Sequence, residues 1–135
     1  GALIADELAK EQLPAFVGPT MGKKSKIELR NKSWTTPAVL SEAGCHVSIT
    51  TDSPVIPQKY LPMCAGLAVD ACLPYEEAWK AITIIPATQT GIGDRVGSLE
   101  AGKDGDVVIW TADPMTTLAA QSACTVVDGK IVYQA

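Results

Sequence analysis

The chain has 135 residues, of which 47% are hydrophobic, a size that suits one domain or one piece of a larger domain. Eleven basic and fifteen acidic residues give a net charge of -4 without a basic block, which disfavours nucleic-acid binding. No apolar run approaches the roughly 20 residues of a membrane span and no secretory signal is visible, so we expect a cytoplasmic protein that does not enter membranes. Because the chain opens on Gly1 rather than methionine, we expect a processed or truncated product.

The first segments predict a helix and then a strand. An apolar stripe places a helix over residues 2–12, before Pro14. The short apolar run from Ala15 to Val17 suits a buried strand that ends at Gly18-Pro19. The polar segment 21–34 is interpreted as a long loop with one turn of helix near Ile27.

The next segments complete a β-α-β pattern. Thr36-Pro37 indicates a helix start, with threonine as the cap and proline at the first helical position, and Gly44 supplies the end. A strand over Val47 to Thr50 follows at once, and such units nearly always pair their strands in parallel. The sequence therefore predicts an α/β protein up to about residue 90.

Beyond Asp52 we predict a helix from Tyr60 to Ala71 and a second helix from Pro74, which Pro86 interrupts before a short helix to Thr90. The composition changes at Gly91, after which frequent glycines predict a series of turns. A strand is predicted over residues 106–110. The end, TVVDGKIVYQ, predicts a hairpin with a type I′ turn at Asp128-Gly129.

Several motifs are excluded by their context. Residues 97–104 fit a phosphate-binding loop up to Lys103, but Asp104 replaces the required hydroxyl and a strand follows instead of a helix. His46, the only histidine, lies at the start of its strand, which favours a structural or surface role. The four cysteines form no C-x-x-C pair, so we expect reduced, mostly buried thiols.

Asp52 ends the strand in SITTDSP and has two interpretations. It either caps the loop by accepting backbone N–H bonds, or acts as a metal ligand or general base at the edge where α/β folds place their chemistry. Alone it cannot hold a catalytic zinc, which needs about three protein ligands. The residues by themselves leave both interpretations open.

Three segments carry a resemblance to a known family: ITTDSPVIP, the run LPYEEAWKAITIIPATQTGIGDRVGSLEAGKDGDVVIWTADP and the closing TVVDGKIVYQ. Together they resemble the C-terminal part of metal-dependent amidohydrolases, in the imidazolonepropionase-like branch. The stretch from Ala78 to Ile109 is the most specific part. The opening GALIADELAK is similar to the helix after barrel strand six.

The resemblance implies a (β/α)8 TIM barrel with a small β-sandwich built from both chain ends. Residues 1–90 would then be a partial barrel, with Ala15 to Val17 as strand seven and Val47 to Thr50 as strand eight. Residues 91–135 would supply strands of the sandwich. The missing N-terminal half of the barrel would be a partner, and exposed strand edges would also favour association into a homo-oligomer.

The resemblance also implies a chemistry. Asp52 matches the aspartate that binds the metal, zinc in many such enzymes, and acts as general base during hydrolysis of a C–N bond in a small-molecule substrate. Ser53 stands where related sequences often have histidine. The other ligands would lie before Gly1, so the chain alone is predicted to be inactive.

Two alternatives differ in class from an enzyme: a binding module in which Asp52 is only a cap, and a non-catalytic scaffold that has lost its metal ligands. The sequence identifies no substrate-binding residue. Arg30 could pair with a substrate carboxylate, but a solvated loop arginine is the better interpretation.

Overall fold

The computed structural model describes residues 1–24 and 26–135. Its helices are α1 (Ala5–Lys10), α2 (Thr36–Glu42), α3 (Leu61–Asp70), α4 (Tyr75–Ala81) and α5 (Ile84–Gln89). Its strands are β1 (Ala15–Val17), β2 (Val47–Ile49), β3 (Val107–Trp110), β4 (Ser122–Val127) and β5 (Lys130–Gln134). Short 3-10 helices cover Ala2–Ile4, Ile27–Leu29 and Gln58–Tyr60. The predicted α/β class is confirmed.

Strands β1 and β2 form a parallel pair, with Ala15 opposite Val47 and Val17 opposite Ile49. Helix α2 connects them, so the β-α-β unit predicted from the sequence is present. The predicted loop before α2 contains its one helical turn at Ile27–Leu29, and Ser25 within that loop lies outside the described residues.

The boundaries of α1 and α2 differ from the prediction, whereas α3 and α4 begin within one residue of it. The helix expected over residues 2–12 is a 3-10 turn followed by α1, which ends at Lys10, and Gln12 already has a φ of 50°. The expected cap at Thr36 is wrong, because α2 begins on Thr36 itself and has no side-chain cap. The preceding turn uses Ser33 instead, whose Oγ accepts the Thr35 N–H at 3.2 Å.

The break between α4 and α5 also lies elsewhere than expected. It falls at Ile82 and Thr83, before Pro86, which lies in the first turn of α5. A proline is tolerated there because the first helical N–H groups have no partner within the helix. Pro86 therefore lies within the first turn of α5 and does not interrupt a helix.

The buried side chains form two clusters that meet at β2. Val47 packs with residues of α1, β1 and α2, whereas Ile49 packs with residues of α3 and α4. Successive strand residues point to opposite faces, so Val47 and Ile49 share the face that the helices cover. Ser48 points to the other face and is nevertheless fully buried.

The C-terminal strands form a separate antiparallel sheet in the order β3-β4-β5. Asp128 and Gly129 have φ values of 50° and 71°, as the predicted type I′ turn requires. Every residue of β5 is exposed. Among the described residues, no helix is both long enough and apolar enough to cross a membrane.

The sheet is joined to the helices by a close backbone contact. Met115 follows β3, is only 8% exposed and packs against α3 and α4. Its carbonyl oxygen would lie 2.0 Å from a Cβ placed on Gly66. Glycine at this position of α3 therefore allows the segment after β3 to lie directly on the helix.

Candidate active site

The carboxyl ends of β1 and β2 lie at one edge of the parallel pair, where α/β folds place their functional groups. Thr50 follows β2, and its N–H donates to the Val17 oxygen at 2.9 Å. Its carbonyl oxygen packs against Gly18, where a Cβ would lie only 1.9 Å away. The two strand ends are therefore in direct backbone contact at this edge.

Asp52 lies two residues beyond Thr50, on the exposed side of this edge. Its φ of 52° is in the left-handed region, and its N–H donates to Thr50 Oγ1 at 3.1 Å. Its carbonyl oxygen accepts from the Val55 N–H at 2.9 Å. The backbone of Asp52 is thus held by hydrogen bonds on both sides.

The Asp52 carboxylate makes no hydrogen bond or ion pair within residues 1–24 and 26–135. Nor does that part of the chain contain a group of three or more His, Cys, Asp or Glu side chains able to hold a metal ion. The structure places Asp52 where the sequence predicted it, at the end of β2. Within the described residues, the structure brings no second potential metal ligand close to Asp52.

A cavity of about 310 Å³ lies beside the end of β1. Its polar lining side chains are Thr20, Glu28, Asn31, Lys32, Ser33 and Thr36. The Lys32 ammonium donates to the carbonyl oxygens of Pro19, at 3.2 Å, and Gly22. Lys32 therefore fastens the loop that follows β1, and Arg30 in the same loop is exposed.

A larger cavity, of about 610 Å³, lies between the helices and β3. Leu61, Trp79, Ile82, Val107 and Trp110 give it a largely apolar lining. No residue of β1, β2 or the turn through Asp52 belongs to it. We therefore place the candidate site at the strand ends and not in the larger cavity.

The opposite end of β2 is fastened by Gln89 of α5. Gln89 Oε1 accepts from Ser48 Oγ and Gln89 Nε2 donates to the His46 oxygen, both at 2.6 Å. The His46 side chain is exposed at this end of β2, whereas Asp52 follows the other end. A structural or surface role is the prediction for His46, and its exposed side chain agrees with the surface role.

The remaining sequence motifs are structural. Lys103 donates to Ser98 Oγ at 2.6 Å and pairs with Glu100 at 3.3 Å, so residues 97–104 form a turn before β3. All four cysteines are free; Cys45 and Cys64 are buried, whereas Cys72 is exposed and Cys124 half-buried. Burial raises the pKa of the Cys64 thiol. Among the residues that the structure describes, the thiols belong to no group of three or more potential metal ligands.

Sequence reasoning missed two residues that shape the candidate site. The strand pattern identifies Thr50 only as the last strand residue, although a threonine hydroxyl can accept the backbone N–H of the residue two positions later. The same pattern identifies Gly18 only as the end of a strand. Nothing in the local sequence indicates its contact with Thr50, which is 32 positions later in the chain.

Comparison with known proteins gives a consistent family. Residues 17–133 match the family described as "Amidohydrolase family". The chain is 31% identical to the imidazolonepropionase of Rhizobium meliloti over 125 residues, which cover 84% of the chain and 30% of that protein.

Solved structures agree. An amidohydrolase from Thermotoga maritima superposes with a TM-score of 0.94 at 31% identity, over 99% of this chain and 35% of that one. An adenosine deaminase from Xanthomonas campestris with bound zinc shares the fold at a TM-score of 0.51 and 23% identity, over 73% of this chain and 28% of that one. The chain spans about a third or less of the length of these relatives. It belongs to the amidohydrolase family and resembles the imidazolonepropionases within it.

Proposed function

We propose that this chain is the C-terminal part of a (β/α)8 hydrolase, in which β1 and β2 are strands seven and eight of the barrel. Residues 1–90 would be the barrel segment and residues 91–135 strands of a small β-sandwich. Two observations support this arrangement: the parallel pairing of β1 with β2, and the change to an antiparallel sheet after residue 90. The superposition on one third of a solved amidohydrolase agrees with it.

The proposed reaction is hydrolysis of an amide or cyclic amide C–N bond in a small molecule, with Asp52 as metal ligand and general base. The observation that carries this proposal is the exposed Asp52 carboxylate at the carboxyl end of β2, fixed through its backbone and without a partner in the described residues. A carboxylate used only as a loop cap would accept backbone N–H bonds. The family membership supports a hydrolytic role.

The donor set tests whether a metal fits. Asp52 offers one carboxylate, whereas a catalytic zinc takes about three protein ligands. In the proposed site the described residues would supply one ligand, Asp52, and the other donors would come from the N-terminal half of the barrel. A divalent ion bound there would lower the pKa of a coordinated water toward ~7.

Within that site Asp52 has a defined task. Its carboxylate would accept the proton of the water that attacks the carbonyl carbon and pass that proton to the nitrogen as the C–N bond breaks, which yields a carboxylic acid and an amine, both on one molecule when the substrate is a cyclic amide. An exposed carboxylate without internal hydrogen bonds has both oxygens available for this exchange and for a metal bond. The hydrogen bonds of its backbone keep the side chain at the strand end.

The N-terminal half of the barrel is the proposed partner of this chain. Phe16 of β1 is 51% exposed, and β5 exposes Ile131, Val132 and Tyr133. Apolar side chains on sheet faces are normally covered by other structural elements. Self-association would cover the same surfaces in the isolated chain, and a cytoplasmic location stays a prediction.

The test compares two aspartate variants of the full-length protein. Asp52→Asn removes the proposed base and is expected to lower turnover of a hydrolysed amide or cyclic amide by at least about 100-fold. Asp70→Asn, at the exposed end of α3, is the matched control and should retain full turnover. Equal activity of Asp52→Asn and Asp70→Asn would overturn the catalytic proposal and favour a binding or scaffold module.

The isolated 135-residue chain provides a second test. With one metal ligand it should show no metal-dependent hydrolysis of any substrate that the full-length protein turns over. Activity should return when the N-terminal half is supplied as a separate polypeptide. Metal-dependent turnover by the chain alone would contradict the proposed division of the site.

A further inference from the structure

We propose that Thr50 is a positioning residue whose hydroxyl sets the direction in which Asp52 leaves β2. This inference rests on the proposed function of Asp52. It is carried by two features of the structure: the Thr50 backbone is fixed by β1, and its side chain is the acceptor for the Asp52 N–H.

The backbone of Thr50 is held from two sides. Its N–H donates to the Val17 oxygen at 2.9 Å, which extends the pairing with β1 by one residue beyond the regular strand. Its carbonyl oxygen lies against Gly18, close enough that any side chain there would collide with it. Thr50 therefore cannot shift along or away from β1 without breaking a close contact.

From this fixed base the Thr50 hydroxyl reaches the Asp52 N–H at 3.1 Å. Asp52 adopts a φ of 52°, a conformation that is uncommon for residues other than glycine. A side-chain acceptor two residues earlier stabilises such a turn, because it satisfies an N–H that the strand no longer pairs. The hydroxyl thus favours this one backbone direction at Asp52.

The segment after Asp52 is hydrogen-bonded to the same turn. The Val55 N–H donates to the Asp52 oxygen at 2.9 Å, and the Ile56 N–H donates to the Thr51 oxygen at 3.3 Å. Thr51 itself is only 4% exposed. Because these bonds hold the carbonyl oxygens of Thr51 and Asp52, loss of the Thr50 acceptor would act chiefly on the orientation of the Asp52 carboxylate.

Two substitutions separate the hydroxyl from the shape of the side chain. Thr50→Val keeps the branched shape and removes the acceptor, whereas Thr50→Ser keeps the acceptor. In the metal-loaded full-length protein we expect Thr50→Val to lower kcat about tenfold and to weaken zinc binding about tenfold, in line with other residues that orient metal ligands. KM should change by less than about twofold, because substrate contacts are untouched.

Hydrogen–deuterium exchange and rescue by serine identify a positioning role. Hydrogen–deuterium exchange around Asp52 should accelerate in Thr50→Val, and Thr50→Ser should restore kcat, zinc affinity and protection. Kinetic values are normalised to the folded fraction measured by circular dichroism, which removes any effect of stability alone. Thr50→Ala, which also lacks the acceptor, is the second variant if Thr50→Val does not fold.

Asp52→Asn, measured in parallel, distinguishes the positioning role of Thr50 from the proposed function of Asp52. If Asp52→Asn abolishes turnover and weakens zinc binding while Thr50→Val leaves both unchanged, the positioning role is overturned and the proposed function stands. If Asp52→Asn changes neither quantity, both proposals are overturned. Equal losses of kcat in Thr50→Ser and Thr50→Val would assign the effect to packing and also overturn the positioning role.

Discussion

Gln89 binds Ser48 across 41 positions of sequence: its Oε1 accepts from the buried Ser48 Oγ at 2.6 Å. The same amide donates to the His46 oxygen at 2.6 Å, so one side chain of α5 contacts both the residue before β2 and the middle residue of that strand. Together with the contact between Thr50 and Gly18, this bond fixes β2 at both ends. The candidate site lies at the carboxyl end of β2, where Thr50 contacts Gly18.

The first prediction concerns this buried pair. Gln89→Ala leaves the Ser48 hydroxyl without its partner in the interior, so the free energy of unfolding should fall by about 1–3 kcal/mol. The double variant Ser48→Ala/Gln89→Ala should lose less than the sum of the two single losses, since both partners are then absent. Urea unfolding measures all three, with Gln121→Ala at an exposed position as the control. Additive losses would contradict a coupled pair.

Gly18→Ala should be strongly destabilising. Its new Cβ would lie 1.9 Å from the Thr50 oxygen, so β1 and β2 must separate at the candidate site. We expect a loss of roughly 2–4 kcal/mol in the free energy of unfolding. Gly44→Ala is the matched control, because Gly44 has a φ of +96° and open space around it, and should lose only about 1 kcal/mol. Equal losses would show that the close contact has no energetic weight.

Gly66→Ala tests the contact that joins the C-terminal sheet to α3. Alanine is the better helix former, so helix propensity alone predicts a gain of about 1 kcal/mol. The Met115 oxygen would lie 2.0 Å from the added methyl group, and we expect this overpacking to outweigh the gain and cost about 1–3 kcal/mol net. Thermal unfolding followed by tryptophan fluorescence decides the sign, and a raised Tm would argue against the contact.

The Asp113 carboxyl should make the free energy of unfolding depend on pH. The Met115 N–H holds the pKa of the Asp113 carboxyl below its ordinary value of 3.8, with further hydrogen bonds from Thr116 and the Tyr75 hydroxyl. Because the folded pKa is the lower one, the carboxylate stabilises the fold above pH ~4, and this contribution is lost as pH falls through the folded pKa. The effect should be small, since solvent screens the carboxylate.

The measurement is urea unfolding of the native chain and of Asp113→Asn between pH 6 and pH 2. The stability difference between them should be largest near pH 6 and shrink toward pH 2. Gln121→Ala, at an exposed position without an ionisable group, is the control and should show no such trend. A difference for Asp113→Asn that is constant over the whole range would contradict the stabilising role of the carboxylate.

Local patterns predicted the strands and turns well. The strand over Ala15–Val17 has the predicted bounds, and the Asp128-Gly129 turn has the predicted φ values. Helix ends were less predictable, because several neighbouring residues compete for the same backbone groups. Ser33 rather than Thr36 shapes the start of α2, and the helix breaks at Thr83 before Pro86 is reached.

The candidate site also has a part that the sequence predicts and a part that it does not. The position of Asp52 at the carboxyl end of a strand follows from the strand pattern and from chain order alone. The contacts that fix it do not, because Gly18 meets Thr50 and Ser48 meets Gln89 only when distant segments pack. Long-range packing of this kind leaves no periodic signal in the sequence. For Asp52, the family resemblance and not the residues alone favours a metal ligand over a loop cap, and this role stays a prediction.

Zinc affinity tests the central claim, that Asp52 is one ligand of a site completed by the N-terminal half of the barrel. Chelator competition would be measured for the full-length protein, its Asp52→Asn variant and the isolated chain. We predict tight binding by the full-length protein, binding at least about tenfold weaker in Asp52→Asn, and no specific binding by the isolated chain. Unchanged affinity in Asp52→Asn, or equally tight binding by the isolated chain, would contradict the claim.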